Sequence, residues 1–224
     1  MSNYILLSHF LDENIPSYGD RDQLIIENIS RIEDGKSANS SKWTFTNNHL
    51  GTHIDVPQHF FDTGKTVTDY SANEWIFNKI QLIDVPCEQA RLIGKEDVKS
   101  KINSETNLLF IRTGYEKYRS LDKYWNDNPG LAPELGLWLR ENFRNLRVIG
   151  FDFISLTSWK FREIGKEAHR TFLDPDGGNQ PIRIIEDMSF KSINSELCEV
   201  FIVPLFIKKS NGSPVTVFAK TKNE

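Results

Sequence analysis

His49-Leu50-Gly51-Thr52-His53-Ile54-Asp55-Val56-Pro57-Gln58-His59 places three of the chain's five histidines and one carboxylate in a single short stretch. Imidazole nitrogen and carboxylate oxygen are the donors that Zn²⁺ and Mn²⁺ accept. Alternate side chains of an extended segment point the same way, so His53 and Asp55 share one face if this segment is a strand. Pro57 cannot continue a central strand, which leaves His59 past the strand end, near the pair and free for another task. Gly51 permits a positive φ or a close backbone approach, and the Thr52 hydroxyl is expected to hydrogen-bond a ligand. The stretch reads as a catalytic metal centre built on a short strand.

Outward from this segment the chain is a series of short apolar runs bounded by Gly, Pro or Asn. Residues 4–7, 79–85, 108–112, 146–153, 183–185, 200–207 and 214–219 are rich in Ile, Leu, Val and Phe and predict core strands. Ala132-Pro133-Glu134 opens the clearest helix, with proline in the first turn and glutamate favouring its dipole, running through Leu135, Trp138 and Leu139 towards Phe143. A second helix is predicted over residues 95–100. The apolar run within 20–31 fits neither pattern decisively, and the polar stretch 34–41 reads as an exposed loop. The pattern predicts an α/β fold, mixed and β-rich. At 224 residues the chain is expected to form one domain, residues 1–224.

Charge excludes several classes of partner. The chain has 27 basic and 31 acidic residues, a net charge of -4, and no basic stripe marking a nucleic-acid or membrane surface. No apolar run approaches the ~20 residues that span a bilayer, and no basic segment precedes a hydrophobic one at Met1-Ser2-Asn3-Tyr4. A cytoplasmic protein with a small-molecule substrate is expected. Cys87 and Cys198 suit neither a disulfide framework nor a Cys-x-x-Cys site and read as semi-buried thiols.

The complete His-x-Gly-Thr-His-x-Asp-x-Pro-x-His pattern resembles the metal-dependent cyclase superfamily, which includes bacterial kynurenine formamidase (arylformamidase) and isatin hydrolase. Further segments agree in chain order. Ser8-His9 with Pro16 and Tyr18 is similar to the family's entry loop. Residues 109–114, ending in Arg112-Thr113-Gly114, and Gly150-Phe151-Asp152-Phe153-Ile154-Ser155 are similar to two of its strands. Glu167-Ala168-His169-Arg170, Ile184-Ile185-Glu186-Asp187-Met188, Val203-Pro204-Leu205 and Asn211-Gly212-Ser213-Pro214 complete the match. The resemblance implies the family's swivelling β/β/α arrangement. It also implies that His49, His53 and Asp55 bind one metal, that Asp55 bridges to a second held by His169 and Glu186, and that His59 is the general acid/base. Zinc is expected first and manganese next, as one or two ions. One departure is Thr157, where many relatives carry Asp, which bears on the substrate more than on the metal.

The residue types suit hydrolysis by a metal-activated water, and with the resemblance they imply a hydrolase of a small-molecule C–N amide bond, an arylformamidase of tryptophan catabolism being the specific form the resemblance implies. Alternatives are a cyclic amide or lactone hydrolase, a cyclase or dehydratase, and a metal-binding relative without turnover. His59 itself has the alternative role of a ligand. Tyr18, Phe60, Phe61 and Trp159 are expected to bind an aromatic substrate. Asp152 and Arg112 are read as a charged pair of the fold. The resemblance implies a homodimer or homotetramer.

Overall fold

Two kinds of burial divide the strands. Leu108-Leu109-Phe110-Ile111 and Val148-Ile149-Gly150-Phe151 are unbroken buried runs, the pattern of strands covered on both faces. From Val215 to Thr221 burial alternates, the pattern of a half-covered antiparallel strand. The computed structural model describes residues 3–222. Its strands begin with β1 (Asn3–Leu6), β2 (Leu24–Ser30), β3 (Ser40–Phe45), β4 (His53–Asp55), β5 (Ile76–Phe77), β6 (Ile80–Asp84) and β7 (Leu92–Ile93). Next come the single turn α1 (Lys95–Val98), β8 (Leu108–Arg112), α2 (Lys123–Asn126), β9 (Gly130–Leu131), α3 (Pro133–Asn142) and β10 (Val148–Phe151). The chain then forms α4 (Arg162–Leu173), β11 (Arg183–Glu186), β12 (Leu197–Pro204) and β13 (Gly212–Thr221).

The main sheet runs in the order β5-β12-β13-β4-β11-β10-β8-β6, with β1 added to β13. From β11 to β6 the neighbours are parallel; from β11 through β4 to β5 they are antiparallel. The three-residue β4 therefore lies at the seam between the two halves. Side chains alternate between two apolar layers. Leu109, Ile111, Ile149, Phe151 and Ile184 meet Leu135, Leu139, Ala168 and Phe172 of α3 and α4. Leu108, Phe110, Val148 and Ile185 instead meet Val200, Ile202, Val215 and Val217. The second set comes from strands far apart in the sheet order, so the sheet curls until its halves face each other. The result is an antiparallel layer, a parallel layer and a helical layer, the mixed β-rich β/β/α fold expected.

The strand expectations agree to within a few residues, except that the run expected over 200–207 ends early: residues 205–207 leave the sheet once Pro204 pairs with Val215. The run within 20–31 is β2, and it pairs with β3 as a separate hairpin. The predicted loop 34–41 gives its last two residues to β3. The helix expected over 95–100 is only the turn α1. Arg112 pairs with Asp84 at 2.6 Å, while the Asp152 carboxylate accepts from the backbone N–H groups of Thr113 and Gly114. The expected Arg112–Asp152 pair is therefore absent among the described residues. Cys87 is buried and Cys198 exposed, which corrects the reading of two semi-buried thiols.

Arg183 is 2 % exposed, its guanidinium packed against both the Tyr70 and Trp75 rings at 4.3 and 4.6 Å, which themselves meet edge-on, with Nη2 donating to the Glu74 carbonyl. Burial pulls its pKa down to about 10. Aromatic faces and a carbonyl do the work of a counter-ion here. Arg183→Ala is expected to cost about 2–4 kcal/mol in denaturant unfolding, through a cavity and the lost cation–π contact.

Candidate metal centre

Three chain segments converge at the seam. His53 and Asp55 project from β4, and Glu186, the last residue of β11, is paired in register with His53. His169 comes from the middle of α4. His49 precedes β4 across Gly51, whose φ of 66° turns the chain into the strand. His59 ends a 3-10 turn that Pro57 opens. Asp55, His53, Glu186 and His169 are buried, at 1, 3, 3 and 4 % exposure. His49 Nδ1 lies 2.7 Å from Asp55 Oδ1, and His53 Nε2 lies 3.3 Å from Glu186 Oε2. His169 Nε2 is 3.6 Å from Asp55 Oδ2 and 3.5 Å from Glu186 Oε1. His59 Nε2 stands 4.0 Å from Asp55 Oδ2.

The hydrogen bonds around these rings test whether a cation fits. His53 Nδ1 faces the Gly51 carbonyl at 2.8 Å and His169 Nδ1 the Gly165 carbonyl at 2.9 Å. Those carbonyls require Nδ1–H donors, so in the neutral rings the Nε2 lone pairs face carboxylate oxygens. Lone pair opposes lone pair unless a proton or a metal ion lies between. Burial disfavours charge on His53, but Glu186 and Asp55 outweigh it and raise its pKa to about 9; Asp55 and Glu186 likewise take the buried His169 to about 10. Burial also opposes ionisation of the two carboxylates, yet the imidazoles hold Asp55 well below the usual range and Glu186 near about 2. A divalent ion would replace these protons on the same nitrogens and oxygens. The donor atoms form two overlapping groups, His49–Asp55–His59 and His53–Asp55–Glu186, each within 4.8 Å and both using Asp55. His59 differs from the rest. Burial drives it down to about 4, beyond what Asp55 recovers, and its side chain remains 27 % exposed.

Several residues around the site have roles that their sequence motifs do not disclose. Asn211 Oδ1 lies 3.2 Å from His49 Nε2 and is itself fixed by Asn48. A Cβ on Gly212 would come within 2.4 Å of His49 Cε1, so only glycine leaves that ring its place. Asn211-Gly212 stood out as a motif, without a role. Thr52 does not bond a ligand; its hydroxyl donates to the Asp187 carbonyl, tying β4 to the turn after Glu186. The Leu156 N–H donates to Glu186 Oε1 at 2.7 Å. Thr157 Oγ1 lies 3.2 Å from His169 Nδ1, so the hydroxyl at the departing position orients a ligand.

The centre forms the floor of a cavity of about 320 Å³. Tyr18 and Phe60 line it, with Phe60 stacked 4.7 Å from the His169 ring. Phe61 does not: the next residue of the turn points away, and it sits in a groove with Leu137 and Arg170. Trp159 is also displaced from the wall and packs edge-on behind Tyr18 at 5.2 Å. The sequence reading missed the charged rim, Arg21, Asp22, Arg162 and Lys166.

The family model described as "Putative cyclase" matches residues 5–157. The chain belongs to the Cyclase family. It is 27% identical to the kynurenine formamidase of Bacillus cereus (strain ATCC 14579) over 214 residues, covering 96% of this chain and 95% of that one. It is 33% identical over 110 residues to an uncharacterized Haemophilus influenzae protein, covering 47% of this chain and 78% of the other. Isatin hydrolase A from Labrenzia aggregata has the same fold, with a TM-score of 0.80 at 19% identity over 99% and 94% of the two chains. The residues matched by the family model include the His49–His59 stretch and β4 and end before α4 and β11. Gly212→Ala is expected to displace His49 and lower bound metal per chain at least about tenfold at limiting metal, with the fold intact. Elemental analysis beside far-UV circular dichroism checks this.

Proposed function

We propose that this Cyclase-family protein is a cytoplasmic, metal-dependent hydrolase of a small-molecule C–N amide bond, and specifically an arylformamidase acting on N-formylkynurenine. The observation that carries the reading is the convergence of four histidines and two carboxylates, with His53, Asp55, His169 and Glu186 buried, on the floor of a cavity of about 320 Å³. Likeness along the whole chain to a kynurenine formamidase supports the specific substrate. In this reading His49, His53 and Asp55 hold one divalent ion, zinc or manganese, and Asp55, His169 and Glu186 offer a second position. A bound ion of this kind lowers the pKa of a water from about 15.7 to about 7 and polarises a carbonyl oxygen.

The chain's own groups supply the remaining needs. His59 is neutral at pH 7, because burial holds it near about 4, so its lone pair can take a proton from the attacking water. It can then pass that proton to the departing aryl nitrogen. Its partial exposure at the edge of the ligand group gives it access to both sites, a freedom the buried histidines lack. Phe60, stacked against His169, presents an aromatic wall beside the reacting carbonyl, and Tyr18 faces it across the cavity.

His59→Ala is expected to lower kcat by about 10²- to 10⁴-fold while bound metal stays unchanged. Loss of metal in that variant would make His59 a ligand instead. The parent activity is read as kynurenine absorbance from N-formylkynurenine before chelation, after it, and after zinc or manganese add-back. Turnover must vanish with the metal and return with it. Absence of turnover in metal-loaded protein would discard the formamidase and direct the assay to cyclic amides and lactones.

The same reading includes assembly as a homodimer or homotetramer. Phe10, Trp43 and the segment Leu205-Phe206-Ile207 are more than half exposed, apolar side chains suited to burial against further copies. Sedimentation at micromolar concentration is expected to show two or four chains per particle, and a single-chain mass would refute the assembly.

A further inference from the structure

The metal floor accounts for one end of the cavity, and its mouth has a different chemistry. Arg162 opens α4 with its guanidinium stacked 4.2 Å over the Trp159 ring. Arg21 reaches the same place from the entry loop: a Cβ on Gly19 would lie 3.1 Å from Arg21 Nε and 2.9 Å from Trp159. Between them is Tyr18, packed edge-on against Trp159, with its hydroxyl oxygen buried and without a hydrogen-bond partner among the described residues. Arg112 and Arg119 have carboxylate partners, and Lys166 beside the cavity is neutralised by Glu163 at 2.7 Å. Asp22, the acidic residue of the rim, accepts from Asn47 at 3.0 Å. Neither Arg21 nor Arg162 has an ion pair among the described residues.

We propose that Arg21, Arg162 and the Tyr18 hydroxyl form an anion subsite at the cavity mouth, and that the substrate is an aryl amide carrying a carboxylate remote from the bond that is cut. The substrate class rests on the hydrolase reading; the subsite stands on the geometry. Two guanidiniums that line one cavity without an ion pair leave their donors free, and a carboxylate can accept from both. The phenol supplies a third donor. Burial outweighs the nearby Arg162 and pushes Tyr18 up to about 12, so it keeps its proton. With the candidate metal centre at the floor and the two guanidiniums at the mouth of the same cavity, one orientation follows, with the amide inward and the carboxylate outward. Stacking on Trp159 restrains the Arg162 fork before any ligand arrives.

The test separates binding from turnover. Zinc-loaded protein is titrated calorimetrically with 3-benzoylpropanoate, an aryl ketone with a distal carboxylate, and with its methyl ester. The acid is expected to bind about tenfold more tightly than the ester. That preference should disappear in the Arg21→Met/Arg162→Met double variant, shrink in Tyr18→Phe, and survive in part in Arg162→Lys, which keeps the charge and loses the fork. Thermal midpoints and metal content verify that each variant is folded and loaded. Equal binding of acid and ester by the parent protein would overturn the subsite. So would a preference that persists in the double variant, because the carboxylate would then be held by the floor. Failure of formamide hydrolysis with the preference intact would remove the formamidase and leave the subsite.

Discussion

The Asp55 carboxylate is the constraint around which the rest is arranged. At 1 % exposure it cannot be solvated, and an ionised group there is tolerated only if neighbouring positive charge and hydrogen bonds replace the water. Four imidazoles and a second carboxylate supply a shell whose donors are complete only when a cation lies between them. Delivering that shell fixes much of the backbone. Asp55 must lie on a strand with neighbours on both sides, which β11 and β13 provide. The residue facing it on β13 is Gly212, because any side chain there would occupy the space of His49.

A second constraint lies immediately beyond Glu186. Asp187 is held at a φ of 53°, a conformation that non-glycine residues adopt at some cost, on the order of 1 kcal/mol. Arg119 clasps its carboxylate through Nε at 2.9 Å and Nη2 at 2.8 Å, Tyr124 donates to it, and Thr52 fastens its carbonyl. These bonds offset the strained turn and stop β11 at the point where Glu186 faces His53. The paired arginine is therefore part of the geometry of the metal centre without touching it.

How much of this was legible follows from distance along the chain. The His49–His59 stretch could be read because its chemistry is local: the alternation on β4 and the break at Pro57 are properties of the segment itself. His169 and Glu186 offer no comparable local pattern and became readable through resemblance. The α4 helix escaped the apolar-period search because its buried face is Gly165, Ala168, His169, Phe172 and Leu173, where a glycine and a polar ligand occupy positions the search reserves for large hydrophobes. β2 stayed undecided because the hairpin it forms lies outside the main sheet, so tertiary burial gives it only a weak pattern. Phe61 and Trp159 show the limit of adjacency: one turn residue separates a cavity wall from an outer groove, and a ring near the site serves by packing behind Tyr18.

The fold also explains why paired and unpaired charged groups coexist in one small cavity. The floor is assembled at the central seam, from strand ends buried on both faces, where ionised groups must neutralise one another. The mouth is assembled from the entry loop and the first turn of α4, which reach solvent, where unpaired guanidiniums incur little desolvation cost. α4 links the two, carrying Arg162, Lys166 and His169 along one side of the cavity. A movement of that helix would shift a metal ligand and a rim cation together. Gly165 keeps the helix close, since a Cβ there would lie 2.5 Å from the Thr157 side chain, whose hydroxyl orients His169. The positions of His169 and of the rim residues on α4 are thus set by the same packed contact, which gives the floor and the mouth of the cavity a fixed spacing.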